Sequence, residues 1–267
     1  MINNADLICL NKDAVIDNNS LNINTLYSSE FIETHFDKLS KDYWMSDVFS
    51  LNLLSYCRQK AIQKVDIQQG AIVLDMMSGT GKNFPLLSQK VGNQGRVIGL
   101  DISEKMNALA QIEVEKQRLL NVDIYTKDFF NNEFPSESID VIVGTFGLKT
   151  LSPDTYSLFS KEIKRLLKPQ GRFVLIELSE PPNIIFKTIS TNYLKHFVPF
   201  FSKILRGDKD AHLQLYPYLS SFKNCRGIAQ SLSENGLEVS AFSLFSGLVT
   251  GVVGRTELSS GRAAKYL

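Results

Sequence analysis

Three carboxylates and two glycines in this chain have the types and spacing to grip a small polar ligand: Asp75, Asp101 and Asp128, with Gly79 and Gly81. Asp75 begins the run Asp-Met-Met-Ser-Gly-Thr-Gly, which includes Ser78 and Thr80 and ends at Gly81. Glycines at 79 and 81 remove Cβ atoms where a ligand must lie against backbone, and they allow positive φ. A helix beginning after that corner would offer its free N–H groups to a polar or anionic group. Asp101 follows twenty residues after Gly81, and a carboxylate so placed can accept both hydroxyls of a ribose. Asp128, with Phe129 and Phe130 behind it, can accept from an adenine amino group while an aromatic covers the ring.

These groups meet only if strands bring them to one edge, and the hydropathy supplies the strands. Residues 71–74 are a short apolar run, β-branched at its centre, which is how a buried parallel strand reads. Residues 96–100 make a second strand ending in Asp101, 122–126 a third followed by Asp128, and 139–144 a fourth ending in Thr145, Phe146 and Gly147. An open α/β sheet binds its ligand at such tips. Ser103 caps the helix after the second strand, in which Met106, Leu109, Ala110 and either Ile112 or Val114 recur at helical spacing. Two phosphate-binding readings fail on spacing. A P-loop needs G-x-x-x-x-G-K-[ST], but Met76 stands at its first Gly and Asn83 at its last position. A dinucleotide fingerprint needs G-x-G-x-x-G, and Phe84 holds the third position. The Asp-x-x-x-Gly-x-Gly form instead resembles motif I of the class I S-adenosylmethionine (SAM) methyltransferases. The other reading is a plain α/β turn that binds nothing.

A chain of 267 residues, 43% hydrophobic, can bury a sizeable core as one large domain or two small ones. The net charge of +1 gives no basic field to gather nucleic acid. Cys9, Cys57 and Cys225 have no metal or redox spacing, which suits a reducing compartment. No apolar run reaches the ~18 residues of a membrane span, and no charged-then-apolar leader opens the chain. The expectation is a soluble, cytoplasmic, metal-free protein. Residues 1–25 read as a polar tail or cap, 26–256 as one domain, and 257–267 as a closing tail.

Within 29–66, Phe31, Ile32, His35, Phe36 and Leu39, then Val48, Leu51, Leu54, Ile62 and Val65, mark two helices of a lid. Tyr43 and Trp44 lie in the joint between them, where they either cover the cofactor turn or pack between the helices. Ser152-Pro153-Asp154 starts a later helix with Leu158, Ile163, Leu166 and Leu167 as its buried stripe, and 172–178 is a fifth strand. A substrate-side helical insertion occupies 181–222. There Phe186, Ile189, Tyr193, Phe197, Phe200 and Ile204 share a face, with a kink expected at Pro199. That face would wall a hydrophobic pocket, rest on a membrane surface, or pack on the sheet. A helix at 224–235 and an antiparallel pair, 237–244 with 248–255, complete the chain.

Several pieces together resemble the ubiquinone/menaquinone biosynthesis C-methyltransferase family (UbiE/MenG), a branch of the class I SAM methyltransferases, over roughly residues 36–255. They are Val73-Leu74-Asp75 with Gly79-Thr80-Gly81, Asp101-Ile102-Ser103, Phe134-Pro135 with Ile139-Asp140, and Thr145-Phe146-Gly147-Leu148. Further pieces are Leu167 to Arg172, His196 with Pro199, and Tyr216-Pro217-Tyr218-Leu219. The resemblance implies a seven-stranded, mostly parallel Rossmann-like sheet with helices on both faces. It implies SAM as cofactor, S-adenosyl-L-homocysteine as product, and methylation of a ring carbon on a polyprenylated quinol. Asp75, Gly79, Thr80 and Gly81 match the family's cofactor turn, Asp101 its ribose acid, and Asp128 its adenine-side residue. The departures fall on the acceptor side. Where the family has Arg-Asn after Phe-Gly-Leu, this chain has Lys149-Thr150; a bidentate planar cation has become a point charge. The family's Lys-Tyr-Asp is Lys41-Asp42-Tyr43 here, and the final strand lacks the family's His.

A sulfonium is already an activated electrophile, so the protein has mainly to place a nucleophile in line with the methyl, which can supply ~7–11 kcal/mol. A phenolic ring carbon becomes nucleophilic as its hydroxyl loses a proton, so a base within reach would help. His196 is the candidate base, by its pKa class, and Lys149 the candidate to polarise the acceptor oxygen. The expected cofactor set is Tyr43, Asp75, Ser78, Gly79, Thr80, Gly81, Asp101, Ile102, Met106, Asp128, Phe129 and Thr145. The expected acceptor set is Phe146, Thr150, Tyr216 and Tyr218. The function read from this is a methyltransferase acting on a small aromatic or hydrophobic acceptor, with peripheral membrane contact or a homodimer as options. Two alternatives stand beside it: a SAM-binding protein of this fold that no longer transfers methyl, and an NAD(P)-dependent oxidoreductase.

Overall fold

The apolar runs become strands whose side chains alternate between two cores. The computed structural model describes residues 26–43, 49–50, 52–204 and 215–257. In β1 (Ile72–Met76), Val73 enters one core while Leu74 and Met76 enter the other. In β4 (Ile139–Thr145), Val141 and Val143 face the first core and Ile142 the second. A strand with apolar residues on both faces must be covered twice. Helices α2 (Leu53–Ile62), α3 (Phe84–Val91) and α4 (Glu104–Gln117) cover one side. Helices α5 (Tyr156–Leu166) and α9 (Arg226–Glu234) cover the other.

The sheet has seven strands in the order β3-β2-β1-β4-β5-β7-β6. The remaining strands are β2 (Arg96–Asp101), β3 (Val122–Thr126), β5 (Leu167–Leu178), β6 (Leu237–Leu244) and β7 (Val249–Thr256). Strands β1 to β5 run parallel to one another, and β7 runs antiparallel to β5 and β6. The connections run outward from β1 to β2 and β3, then return to β4 on β1's other side. The tips of β1 and β4 thus flank a topological switch point, where the diverging connections leave a crevice.

Around this frame, α1 (Ser29–Leu39) ends in a 3-10 turn, Ser40–Asp42, and lies against α4. Trp44, Val48 and Leu51 fall outside the described residues, as do 1–25 and 258–267. Local expectations are corrected or narrowed at three points. Leu158 is exposed, and the buried stripe of α5 is Phe159, Ile163 and Leu166, because the helix proper begins at Tyr156 after a 3-10 turn, Pro153–Thr155. In α4 it is Val114, not Ile112, that is buried with Met106 and Ala110. The insertion holds α6 (Ile184–Asn192), a π-helical turn (Tyr193–Phe197), α7 (Val198–Ile204) and α8 (Leu215–Phe222). The kink expected at Pro199 takes the form of that π turn, which widens the helix where proline has no N–H to give and its ring would meet the Lys195 carbonyl. Its apolar face does not pack on the sheet: Ile184, Phe186, Ile189 and Phe200 are exposed.

Candidate active site

The turn after β1 is built for close approach. Met77, Gly79 and Gly81 all have positive φ, 54°, 55° and 73°. A Cβ on Gly81 would lie 2.6 Å from the Phe84 ring, and one on Gly99 of β2 would lie 2.3 Å from it. Phe84, fully buried, therefore fills the place that the third glycine of a dinucleotide fingerprint would leave open. The turn is tied to the second strand. Asp101 accepts from the Gly79 N–H at 2.8 Å through one oxygen and from the Ser103 N–H at 3.0 Å through the other. Ser103 caps α4 through Met106 N.

Beneath the turn, Asn83 Nδ2 donates to Asp75 Oδ1 at 2.9 Å and to Thr145 Oγ1 at 3.0 Å, linking the tips of β1 and β4. Burial pushes the Asp75 carboxyl up to about 7; the Asn83 hydrogen bond and the Arg58 charge oppose the rise, and Asp101 adds to it. Burial also raises the Asp101 pKa, against three backbone N–H groups that hold the carboxylate. Asp75 Oδ2, Ser78 Oγ, Thr80 Oγ1, Asn83 Oδ1 and Arg58 Nη1 are buried with no hydrogen-bond partner among the described residues. Buried polar atoms in folded proteins are nearly always paired, so a cluster of exceptions at one crevice marks a polar ligand's place.

A cleft opens above these atoms, between the strand tips and the lid helix. Of the residues expected from sequence, Tyr43, Ser78, Gly79, Asp101, Ile102, Met106, Asp128, Phe129, Thr145, Phe146 and Thr150 line it. Asp75, near the end of β1, and Thr80 and Gly81, in the turn after it, support it from below. The lid helix α1 supplies Ser29, Ile32 and Phe36 to the opposite wall. It is pinned there by Ser29 Oγ donating to Asp128 Oδ2 at 2.6 Å and by Ser103 Oγ donating to Asp37 Oδ1 at 2.6 Å. Burial works against the Asp37 carboxylate, but hydrogen bonds from Ser103 and Lys105 outweigh it and hold its pKa below the usual range.

Four expected residues stand elsewhere. His196 is exposed on the π turn and lines a separate open groove with Ile189, Phe197 and Phe200, so it does not reach the cleft as a base. Lys149 is 7% exposed and absent from the cleft wall. Its ammonium pairs with Glu177 at 3.3 Å and donates to the Phe146 carbonyl, leaving it committed to the scaffold rather than to an acceptor oxygen. Tyr218 is buried and donates to the Leu26 carbonyl at 2.9 Å, and Tyr216 lies under the Lys195 ammonium at 4.0 Å; neither lines the cleft.

Sequence reasoning missed Arg58 and Asn83. Arg58 is 6% exposed, lines the cleft, and lies 5.1 Å from the centre of the Phe146 ring. The signal was present: Arg58, Ala61, Ile62 and Val65 follow an i, i+3, i+4, i+7 pattern, which puts a cation on the buried face of its helix. In sequence Asn83 stands out only as a departure from a P-loop.

Comparison with known proteins agrees with this geometry. The chain is 30% identical over 210 residues to a demethylmenaquinone methyltransferase of Bacillus cereus, covering 78% of this chain and 88% of that relative. In fold it is similar to a SAM-dependent methyltransferase from Aquifex aeolicus (TM-score 0.54, 22% identity, 74% of this chain and 88% of that one). It is also similar to DhpI in complex with SAH (TM-score 0.60, 16% identity, 88% and 99% covered). The ubiE/COQ5 methyltransferase family model matches residues 24–255, nearly everything from the lid helix to the last strand, and the chain belongs to that family.

Proposed function

We propose that this methyltransferase binds SAM along the strand tips and methylates a hydrophobic, quinol-like acceptor. The observation that carries the reading is the set of unpartnered buried atoms under the cleft, from Asp75, Ser78, Thr80, Asn83 and Arg58. They offer acceptors and donors of both charge types, which suits the zwitterionic end of an amino-acid cofactor better than a phosphate. Asp101 would hold the ribose hydroxyls, and Ile102, Met106, Asp128 and Phe129 the adenine, all on one side of the cleft. When bound, SAM supplies a methyl group already activated on a sulfonium.

The protein's part is then positional. The turn at Ser78–Gly81 fixes the donor end, and the lid side chains Ile32, Phe36 and Tyr43 exclude water from the opposite side. Phe146 and Thr150 form the acceptor wall, with Arg58 behind Phe146. Arg58 is always charged and cannot act as a base, but a buried guanidinium favours an ionised oxygen beside it, and a phenolate is the nucleophilic form of a phenol. A ring acceptor is also in keeping with the demethylmenaquinone methyltransferase to which the chain is similar. Phe84, filling the corner, disfavours a dinucleotide.

Calorimetry with SAM, S-adenosylhomocysteine and NAD, followed by mass spectrometry of quinols incubated with SAM, tests both halves. Heat with the first two ligands only, and a one-methyl gain on a ring carbon, is the expected result. No heat with either sulfur ligand would end the reading.

A further inference from the structure

Seven of the twelve large apolar side chains that stand exposed among the described residues lie between Ile184 and Ile204. Ile184 is 71% exposed, Ile189 60% and Phe200 60%. Contiguous apolar surface on this scale marks an interaction site, since folding alone would have covered it. The surface continues beyond the helices. A Cβ on Gly247 would lie 2.7 Å from Pro182, so the β6–β7 turn packs beside the start of α6 and brings exposed Phe245 with it. Phe245 packs edge-on against exposed Tyr56 of α2, ring centres 5.8 Å apart. Tyr56 lines a groove whose inner wall, Arg58, Lys82 and Asn83, is also a wall of the main cleft. The apolar surface thus extends to Tyr56, at a groove that Arg58 and Asn83 divide from the main cleft.

Its charge is one-sided. Residues 181–204 carry Lys187, Lys195 and Lys203 and no acid, in a chain with 28 acidic residues against 29 basic ones. Lys187 is held by Glu180 at 2.7 Å and Lys195 by the Tyr216 ring, so both are fixed near the apolar stripe, and Lys203 is exposed at its far end. A second copy of this face would set lysine against lysine, since the one acid at its edge, Glu180, is already paired with Lys187. An apolar stripe flanked by lysines is instead the pattern of a helix lying in the interface of an anionic bilayer.

We propose that the Ile184–Ile204 face docks on an anionic lipid surface. This docking does not rest on the hydrophobic-acceptor reading above. The test is co-sedimentation of the full chain with vesicles of phosphatidylcholine, alone or with a quarter phosphatidylglycerol, alongside calorimetry with S-adenosylhomocysteine and analytical ultracentrifugation. The wild type is expected to sediment with anionic vesicles and to bind about tenfold less to neutral ones, or to anionic ones at ~1 M salt. Ile189→Ser with Phe200→Ser, both at exposed positions, should lose vesicle binding by at least about tenfold with S-adenosylhomocysteine affinity unchanged. Lys203→Glu should lose binding to anionic vesicles only. The proposal is overturned if the wild type stays in the supernatant, or if the double variant binds like wild type. It is also overturned if the protein is a dimer that the double variant splits while vesicles are ignored. Absent heat with S-adenosylhomocysteine in a wild type that still binds vesicles counts against the cofactor reading alone.

Discussion

The two halves of the cleft are made differently. The donor half is a continuous corner, β1 to α3, fastened to the next strand tip by Asp101 and to β4 by Asn83. Its partners lie within a few residues of a motif, and its shape follows from backbone φ and from glycines that no side chain can replace. The acceptor half is assembled from α1, α2 and the tip of β4, segments far apart in sequence. Carboxylates dominate the donor half, and the buried guanidinium of Arg58 stands where the halves meet, its charge felt by Asp75 and its head 5.1 Å from the centre of the Phe146 ring. A site can thus keep its cofactor grip while its acceptor wall is rebuilt.

Lys149, expected from sequence on the acceptor side, lies instead in a buried ion pair with Glu177. Lys149→Met should cost about 3–5 kcal/mol by stranding the Glu177 charge, seen as a melting temperature lower by roughly 10 °C, with SAM affinity retained in the folded fraction. Unchanged melting with lost turnover would return Lys149 to catalysis. Next in size is Arg58→Met. Losing a charged hydrogen bond of about 1.5–3 kcal/mol, it should reduce kcat/KM by roughly 10- to 100-fold and move the alkaline rise of the pH–rate profile upward, since the acceptor then ionises without help. A profile that keeps its shape would make Arg58 structural.

Asp75 gives a smaller effect with a definite sign. Its free carboxyl titrates near 7, because burial favours the protonated form. A cationic ammonium bound beside it favours the ionised form, so binding releases a proton and SAM affinity should fall about tenfold between about pH 8 and about pH 6. In Asp75→Asn that slope should vanish. For the unliganded protein the sign is opposite. A carboxyl whose folded pKa is raised contributes stability that is present at low pH and is lost as pH rises from the unfolded value of 3.8 towards about 7. The smallest expected change is at His196→Ala, where turnover with a soluble acceptor should stay within about twofold. A hundredfold loss would show that the insertion folds over the cleft during catalysis.

What was legible follows from range. Asp75, Gly79, Gly81, Asp101 and Asp128 could be read because strand period, turn chemistry and the length of a βα unit fix where each one falls. The same rules, applied to α5, erred by one position at Leu158, because a 3-10 turn shifts the helical phase. The insertion offered periodicity without direction. A stripe of Phe and Ile says that a face is apolar, and only the packing shows that the sheet does not cover it.

The sequence by itself determined the order of strands and turns, and with it the donor corner, since those depend on residues near one another in the chain. Tertiary structure alone decided that Lys149 is bound to Glu177 and that His196 lines a groove apart from the cleft. The reason is that burial of a charge depends on what a distant segment brings to meet it. That meeting is made by the packing of helices on the sheet, and no local spacing encodes it.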